Sequence, residues 1–191
     1  MLNEQEHLAK NLAFYEDYKA GRLDIYAFLD FQLKPLSEHP RSELDALHRE
    51  YMQEKIQPMI TEKARALVEK HRQNGDLLMI ITATNSFVTG PIAKAFGIDN
   101  LIGTMPEEVN GEFTGKVVGT PSFQAGKITR LKEWLAARGQ SLSDFDTTWF
   151  YSDSHNDLPL MELVDKPVAV DPDATLKAHA EQAGWPIISL R

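Results

Sequence analysis

Two aspartates stand four residues apart in the stretch WFYSDSHNDLPL, Trp149 to Leu160, with Asn156 between them. Carboxylates this close repel unless a cation lies between them, and an all-oxygen pair suits a hard divalent ion such as Mg²⁺. Asp153 and Asp157 are therefore candidate metal ligands. The same spacing also suits a turn residue followed by a helix-start acid, which needs no ligand. Lys127, in AGKITRL, falls at a helix start, where a cation opposes the helix dipole. Reaching into the same crevice it would offset the charge of a phosphoryl group, whereas in solvent it is an ordinary surface lysine. Thr82, in IITATN, closes the most apolar run of the chain, which would set its hydroxyl at a sheet edge.

Other chemistries find no residues to carry them. The chain has no cysteine, which removes disulfides, thiolate ligands and a cysteine nucleophile together. Its six histidines, at 7, 39, 48, 71, 155 and 179, never fall at i, i+4, so no HExxH zinc site exists. AGKIT lacks the glycine and the Ser/Thr of a phosphate-binding Walker loop, and neither GxSxG nor GxGxxG occurs. A net charge of −8 without a Lys/Arg cluster argues against a nucleic-acid partner. No apolar run is long enough to span a membrane, and MLNEQEHLAK is too polar for a secretory signal, so the expected location is the cytoplasm.

The elements that must position these residues change character along the 191 residues. Apolar positions from Glu4 to Ala20, then in IYAFLDFQL after Asp24, and in ALHREYMQEK after Ser42, recur at helical spacing, and nothing before Pro58 reads as a strand. A further helix, TEKARALVEKHRQNG, precedes LLMIIT, Leu77 to Thr82, a run of the kind buried on both faces of a sheet. Strands and helices then alternate: a helix Ser86 to Phe96, a strand at Leu101 to Thr104, a hairpin with an Asn110-Gly111 turn, a helix Lys127 to Arg138, and the strand Trp149 to Ser152. A helix from about Asp157, the strand PVAV, a helix Ala174 to Ala183 and the strand PIISL complete the chain. Alternation on this scale predicts an α/β fold with a three-layer, Rossmann-like parallel sheet, binding ligands at the carboxyl ends of its strands. Residues 1–60 are expected to form a helical cap and residues 61–191 the sheet core. Trp134, Trp149 and Trp185 are expected in the core.

The order Thr82, Lys127, Asp153/Asp157 resembles motifs two, three and four of the haloacid dehalogenase (HAD) superfamily, mostly Mg²⁺-dependent phosphatases. SDSHNDLPL is similar to the fourth-motif loop of the phosphoserine phosphatase-like branch and its histidinol-phosphatase-like relatives, and the helical first third is similar to that branch's small cap. The resemblance implies Mg²⁺ at Asp153 and Asp157, phosphoryl oxygens at Thr82 and Lys127, and an orienting role for Asn156. It implies a small phosphorylated metabolite as substrate. Arg22, Arg41 and Arg49 are candidates for a substrate carboxylate by charge alone. Ser152 and Ser154 stand where glycines are common in such loops.

The family's chemistry begins on a strand ending in DxDxT, whose first aspartate attacks phosphorus and whose second handles the proton. This sequence has no such strand; DFDTT, Asp144 to Thr148, leads into a strand instead of closing one. The resemblance places the missing strand at the centre of the sheet, between the strands of Thr82 and Ser152. Three expectations follow: the natural protein starts upstream with Met1 an internal methionine, the chain as written has no turnover, and its sheet has two open edges. A pseudoenzyme keeping a metal or phosphate site for regulation is the alternative, and a receiver-like module fits less well because the helical first third has no place in it.

Overall fold

The computed structural model describes residues 4–191; Met1, expected to be an internal methionine, lies outside them. Local signals set most element boundaries. Helix α1 (Glu4–Lys19) stops where Gly21 turns to φ 68°, and α2 (Ile25–Ser37) starts on Asp24, whose carboxylate accepts from the N–H groups of Tyr26 and Ala27. Helix α3 (Arg41–Tyr51) runs into a π-helical turn at Met52–Ile56 and a 3-10 turn at Gln57–Met59. Helix α4 (Glu62–Gln73) is capped by the Thr61 hydroxyl, which accepts from Ala64 N–H. No described helix is long and apolar enough to cross a membrane.

Strand β1 (Met79–Asn85) passes directly into α5 (Ser86–Ala95), because Asn85 ends the strand and caps the helix at Val88 N–H. Thr82 therefore sits in mid-strand and not at its end, three residues further back than the apolar run suggested. Strands β2 (Asn100–Val109) and β3 (Glu112–Val118) form the expected hairpin, with Asn110 and Gly111 at φ 54° and 84°. Helix α2 lies against β3, where Gly115 admits Ser37 at a distance that a side chain would crowd. The Arg41 guanidinium clamps this junction. It bonds Asp45 and Glu108, both at 2.9 Å, and covers the rings of Phe87 and Phe113.

Helix α6 (Ala125–Ala136), β4 (Trp149–Ser152), the short α7 (Leu158–Met161), β5 (Lys166–Val170), α8 (Ala174–Ala183) and β6 (Ile187–Ile188) complete the α/β order. Met161, Ala169, Leu176 and Ala180 form a closed core under β4 and β5, with Trp185 packed on it.

The parallel sheet, expected to lack its central strand and to have two open edges, is two three-stranded sheets, β1-β2-β3 and β4-β5-β6. Within the first, β1 and β2 are parallel and β2 and β3 antiparallel; both pairings of the second are parallel. Among the described residues no strand bridges β1 and β4. The consequence shows in β1: its residues are half-buried or exposed throughout, although MII is as apolar as any run in the chain. Trp149 likewise remains 45% exposed on β4, contrary to its expected place in the core, with its ring edge-on to His71.

Candidate active site

The carboxyl end of β4 delivers Ser152 to the site, and the chain then turns through Asp153, Ser154, His155 and Asn156 into α7. Side chains within the turn hold it. Ser154 Oγ accepts from Asn156 N–H, and Ser152 Oγ accepts from Ser154 N–H, both at 3.2 Å. Asp173, the N-cap of α8, reaches over and accepts from the backbone N–H of His155 (2.7 Å), bonds its ring Nδ1 (2.8 Å), and donates its own N–H to Asp153 O. Burial works against ionisation of Asp173, but the N–H groups of Leu176 and His155 and the His155 ring outweigh it and hold its carboxyl below the ordinary range.

Inside this loop lies a buried charge pair. Lys127 Nζ donates to Asp157 Oδ1 at 2.5 Å, and Ser152 Oγ donates to Oδ2 at 2.7 Å. Among the described residues Lys127 is the only buried lysine or arginine, and Asp157 the only buried carboxylate. The surface reading of Lys127 is thereby excluded. Next to them in sequence, Asn156 is 5% exposed; its Oδ1 accepts from Gln124 Nε2 at 2.9 Å, while its buried Nδ2 has no partner among the described residues. Ser122 Oγ, on the loop that leads into α6, is also buried without a partner among the described residues.

Asp153 turns its side chain outward, beside an open depression of about 390 Å³ that Ser152, Asp171 and Arg191 also line. Thr82 is half-buried, and its Oγ1 accepts from Thr84 N–H at 3.2 Å. It joins the others only indirectly: Thr104 Oγ1 donates to Ala83 O and accepts from Ser122 N–H, so the end of β1 is tied to the loop before α6. Direct contact thus joins Lys127 to Asp157, with Asn156 and Asp153 on the same loop and Thr82 linked only through Thr104 and the loop before α6. DFDTT is elsewhere, with Asp144 bonded to Ser141 in a local capping turn. Of the arginines, Arg22 pairs with Asp17 at 2.8 Å, Arg41 is held in its clamp, and Arg49 is exposed.

The donor set is all oxygen and suits Mg²⁺, which binds through one or two carboxylates and completes its shell with water and phosphate. Asp153 offers a free carboxylate. Asp157 already bonds Lys127 and Ser152, so its share of a cation rests on its remaining lone pairs. No cluster of three or more acidic or histidine side chains forms around them among the described residues.

Sequence reasoning passed over three participants: Gln124, Asp173 and Tyr18. Tyr18, at the end of α1, hydrogen-bonds Ser154 Oγ at 2.7 Å and lies beside the rings of Phe123 and His155. Only Asp173, an acid ahead of a helical run, carried a readable capping signal.

Comparison with known proteins agrees with this architecture. Residues 2–162 match the haloacid dehalogenase-like hydrolases, and the chain belongs to that family. It is 47% identical to a histidinol-phosphatase of Neisseria meningitidis serogroup C (strain 8013), over its whole length and 86% of that protein. Against the phosphoserine phosphatase SerB1 of Mycobacterium tuberculosis (strain ATCC 25618 / H37Rv) the identity is 34%, over 92% of this chain and 54% of that one. A crystal structure of a protein of unknown function from Bordetella pertussis Tohama I superposes with a TM-score of 0.92 at 43% identity, covering 99% of this chain and 85% of that one. A phosphoserine phosphatase captured as a phospho-aspartyl intermediate analogue shares the fold, with a TM-score of 0.66 at 17% identity over 98% of this chain and 81% of that one.

Proposed function

We propose that these residues form the phosphate- and metal-binding part of a phosphomonoester phosphatase acting on a small phosphorylated metabolite of the histidinol phosphate or phosphoserine kind. The buried Lys127–Asp157 pair beside the unpartnered Asn156 Nδ2 is the observation that carries the reading. A buried lysine and a directed amide N–H are donors suited to a phosphoryl group whose charge the rest of this acidic chain would repel. The similarity to the Neisseria and Mycobacterium phosphatases supports the substrate class.

In this reading Lys127, Asn156 and Thr82 hold phosphoryl oxygens, while Asp153 and Asp157 hold Mg²⁺. When bound, the ion would neutralise phosphoryl charge and polarise the phosphorus for attack. The helical cap expected over residues 1–60 would cover the site, and among its described residues Tyr18 contacts the site's loop. In the family that the sequence resembles, attack on phosphorus comes from the first aspartate of a strand ending in DxDxT; no such strand occurs in these 191 residues, and in this reading they bind without turning over. A regulatory binding role is the second reading, favoured by the intact hydrogen-bond network around Asp157.

Isothermal titration with Mg²⁺ and orthophosphate tests the binding, alongside p-nitrophenyl phosphate hydrolysis. Expected are saturable, Mg²⁺-dependent phosphate binding that Lys127→Ala removes, and no hydrolysis. Absent binding refutes the site assignment. Mg²⁺-dependent hydrolysis that disappears in Asp153→Ala refutes the loss of turnover.

A further inference from the structure

The geometry points to Gln124 as the positioning residue that decides which end of the Asn156 amide faces the site. What Asn156 then binds rests on the phosphatase reading; its orientation does not.

An asparagine side chain carries an acceptor at one end and two donor hydrogens at the other, and its surroundings choose between them. At Asn156 the choice is made by a single contact. Gln124 Nε2 donates to Oδ1 at 2.9 Å, so the oxygen is used and the NH₂ group is left over. That group is buried and has no partner among the described residues, in a protein interior where an idle donor is expensive. An acceptor is expected there, and an anionic oxygen is the acceptor that benefits most from a donor fixed in advance.

Gln124 itself is held in a conformation that most side chains avoid. Its backbone lies at φ 45°, ψ −120°, and although it precedes α6 its side chain makes no capping bond. The turn around it enforces this. Phe123 N–H bonds Pro121 O, Gly126 N–H bonds Phe123 O, and Lys127 N–H bonds Gln124 O. A Cβ on Gly126 would sit 2.1 Å from Pro121 O, so only glycine lets the turn close. One turn thereby orients two donors: Lys127 three residues on, and Asn156 through the Gln124 side chain. Glycine would fit φ 45° without strain, so strain at a glutamine implies that its side chain is wanted there.

Two variants separate positioning from mere fit. Gln124→Glu has the same length but only accepts, so it attracts the Asn156 NH₂ group and turns Oδ1 toward the site. Gln124→Gly relieves the backbone and removes the amide. Each is titrated with orthophosphate in the presence of Mg²⁺, and the side-chain amide signals of Asn156 are followed by ¹⁵N NMR. Expected is phosphate affinity about tenfold lower in Gln124→Gly, with an unchanged or higher Tm, and about a hundredfold lower in Gln124→Glu. Without phosphate, the Asn156 NH₂ signals of Gln124→Glu move to hydrogen-bonded positions that the wild type reaches only with phosphate. Wild-type affinity in Gln124→Gly, or identical Asn156 signals in wild type and Gln124→Glu, overturns the inference. A wild-type chain that ignores phosphate sinks the phosphatase reading instead, and the phosphate-free NMR comparison still decides the orientation.

Discussion

Lys127→Met is the most informative single perturbation of this fold. Methionine keeps most of the unbranched stem and its packing, and removes the charge that faces Asp157 at 2.5 Å. Both side chains are nearly closed off from water, at 8% and 9% exposure, so solvent cannot take over the solvation of the stranded carboxylate. Buried pairs that lose one partner destabilise by roughly 3–5 kcal/mol. Ser152 still donates to Oδ2, which sets the expectation near the lower end, about 3 kcal/mol. For a chain of this size that lowers Tm by about 6–12 °C. Adding Asp157→Asn removes the uncompensated charge, so the double variant should recover about 1–2 kcal/mol of the loss. Urea unfolding followed by far-UV circular dichroism measures all four members of the cycle. A Lys127→Met loss below about 1 kcal/mol, or a coupling between the two sites below about 0.5 kcal/mol, would refute the claim that this pair anchors the site.

Tyr18→Phe deletes the hydroxyl that ties α1 to Ser154, a contact worth about 0.5–1.5 kcal/mol. Amide exchange in the last two turns of α1 should rise roughly two- to tenfold while α4 is unchanged; equal protection in both proteins would mean that α1 is held elsewhere. Burial, and behind it the Asp76 carboxylate, pushes the Tyr151 phenol above its ordinary value. A group raised in this way contributes stability that is complete below its unfolded pKa, near pH 10, and is lost as pH climbs through the higher folded value. The phenolate absorbance difference between wild type and Tyr151→Phe should therefore titrate with a midpoint above about 10, and a midpoint at or below it contradicts the burial argument.

The sequence by itself determined whatever depends on near neighbours. Asp24, Thr61, Asn85 and Asp173 each cap the helix that follows, and Asn110-Gly111 turns the hairpin, because these signals act over two or three residues. The order Thr82, Lys127, Asp153, Asp157 was legible for the same reason, each residue being marked by a strand or helix end. Thr82 shows the limit of such marking: apolarity stopped at residue 82, but hydrogen bonding to β2 carried the strand on to Asn85.

Only the tertiary structure decided what those residues face. Lys127 reads equally well as a surface lysine until Asp157, 30 residues away, comes within 2.5 Å of it in the interior. Nothing in the types of Gln124 or Tyr18 announces a role, since Gln124 meets Asn156 across 32 residues and Tyr18 meets Ser154 across 136. Alternating strands and helices predict parallel neighbours without saying which edges remain open; the open edges of β1 and β4 were expected from the family resemblance alone. Local patterns fix backbone conformation through short-range sterics and capping. The pairing of a buried charge or amide depends on which distant segment excludes water from it, and that is settled only when the chain closes.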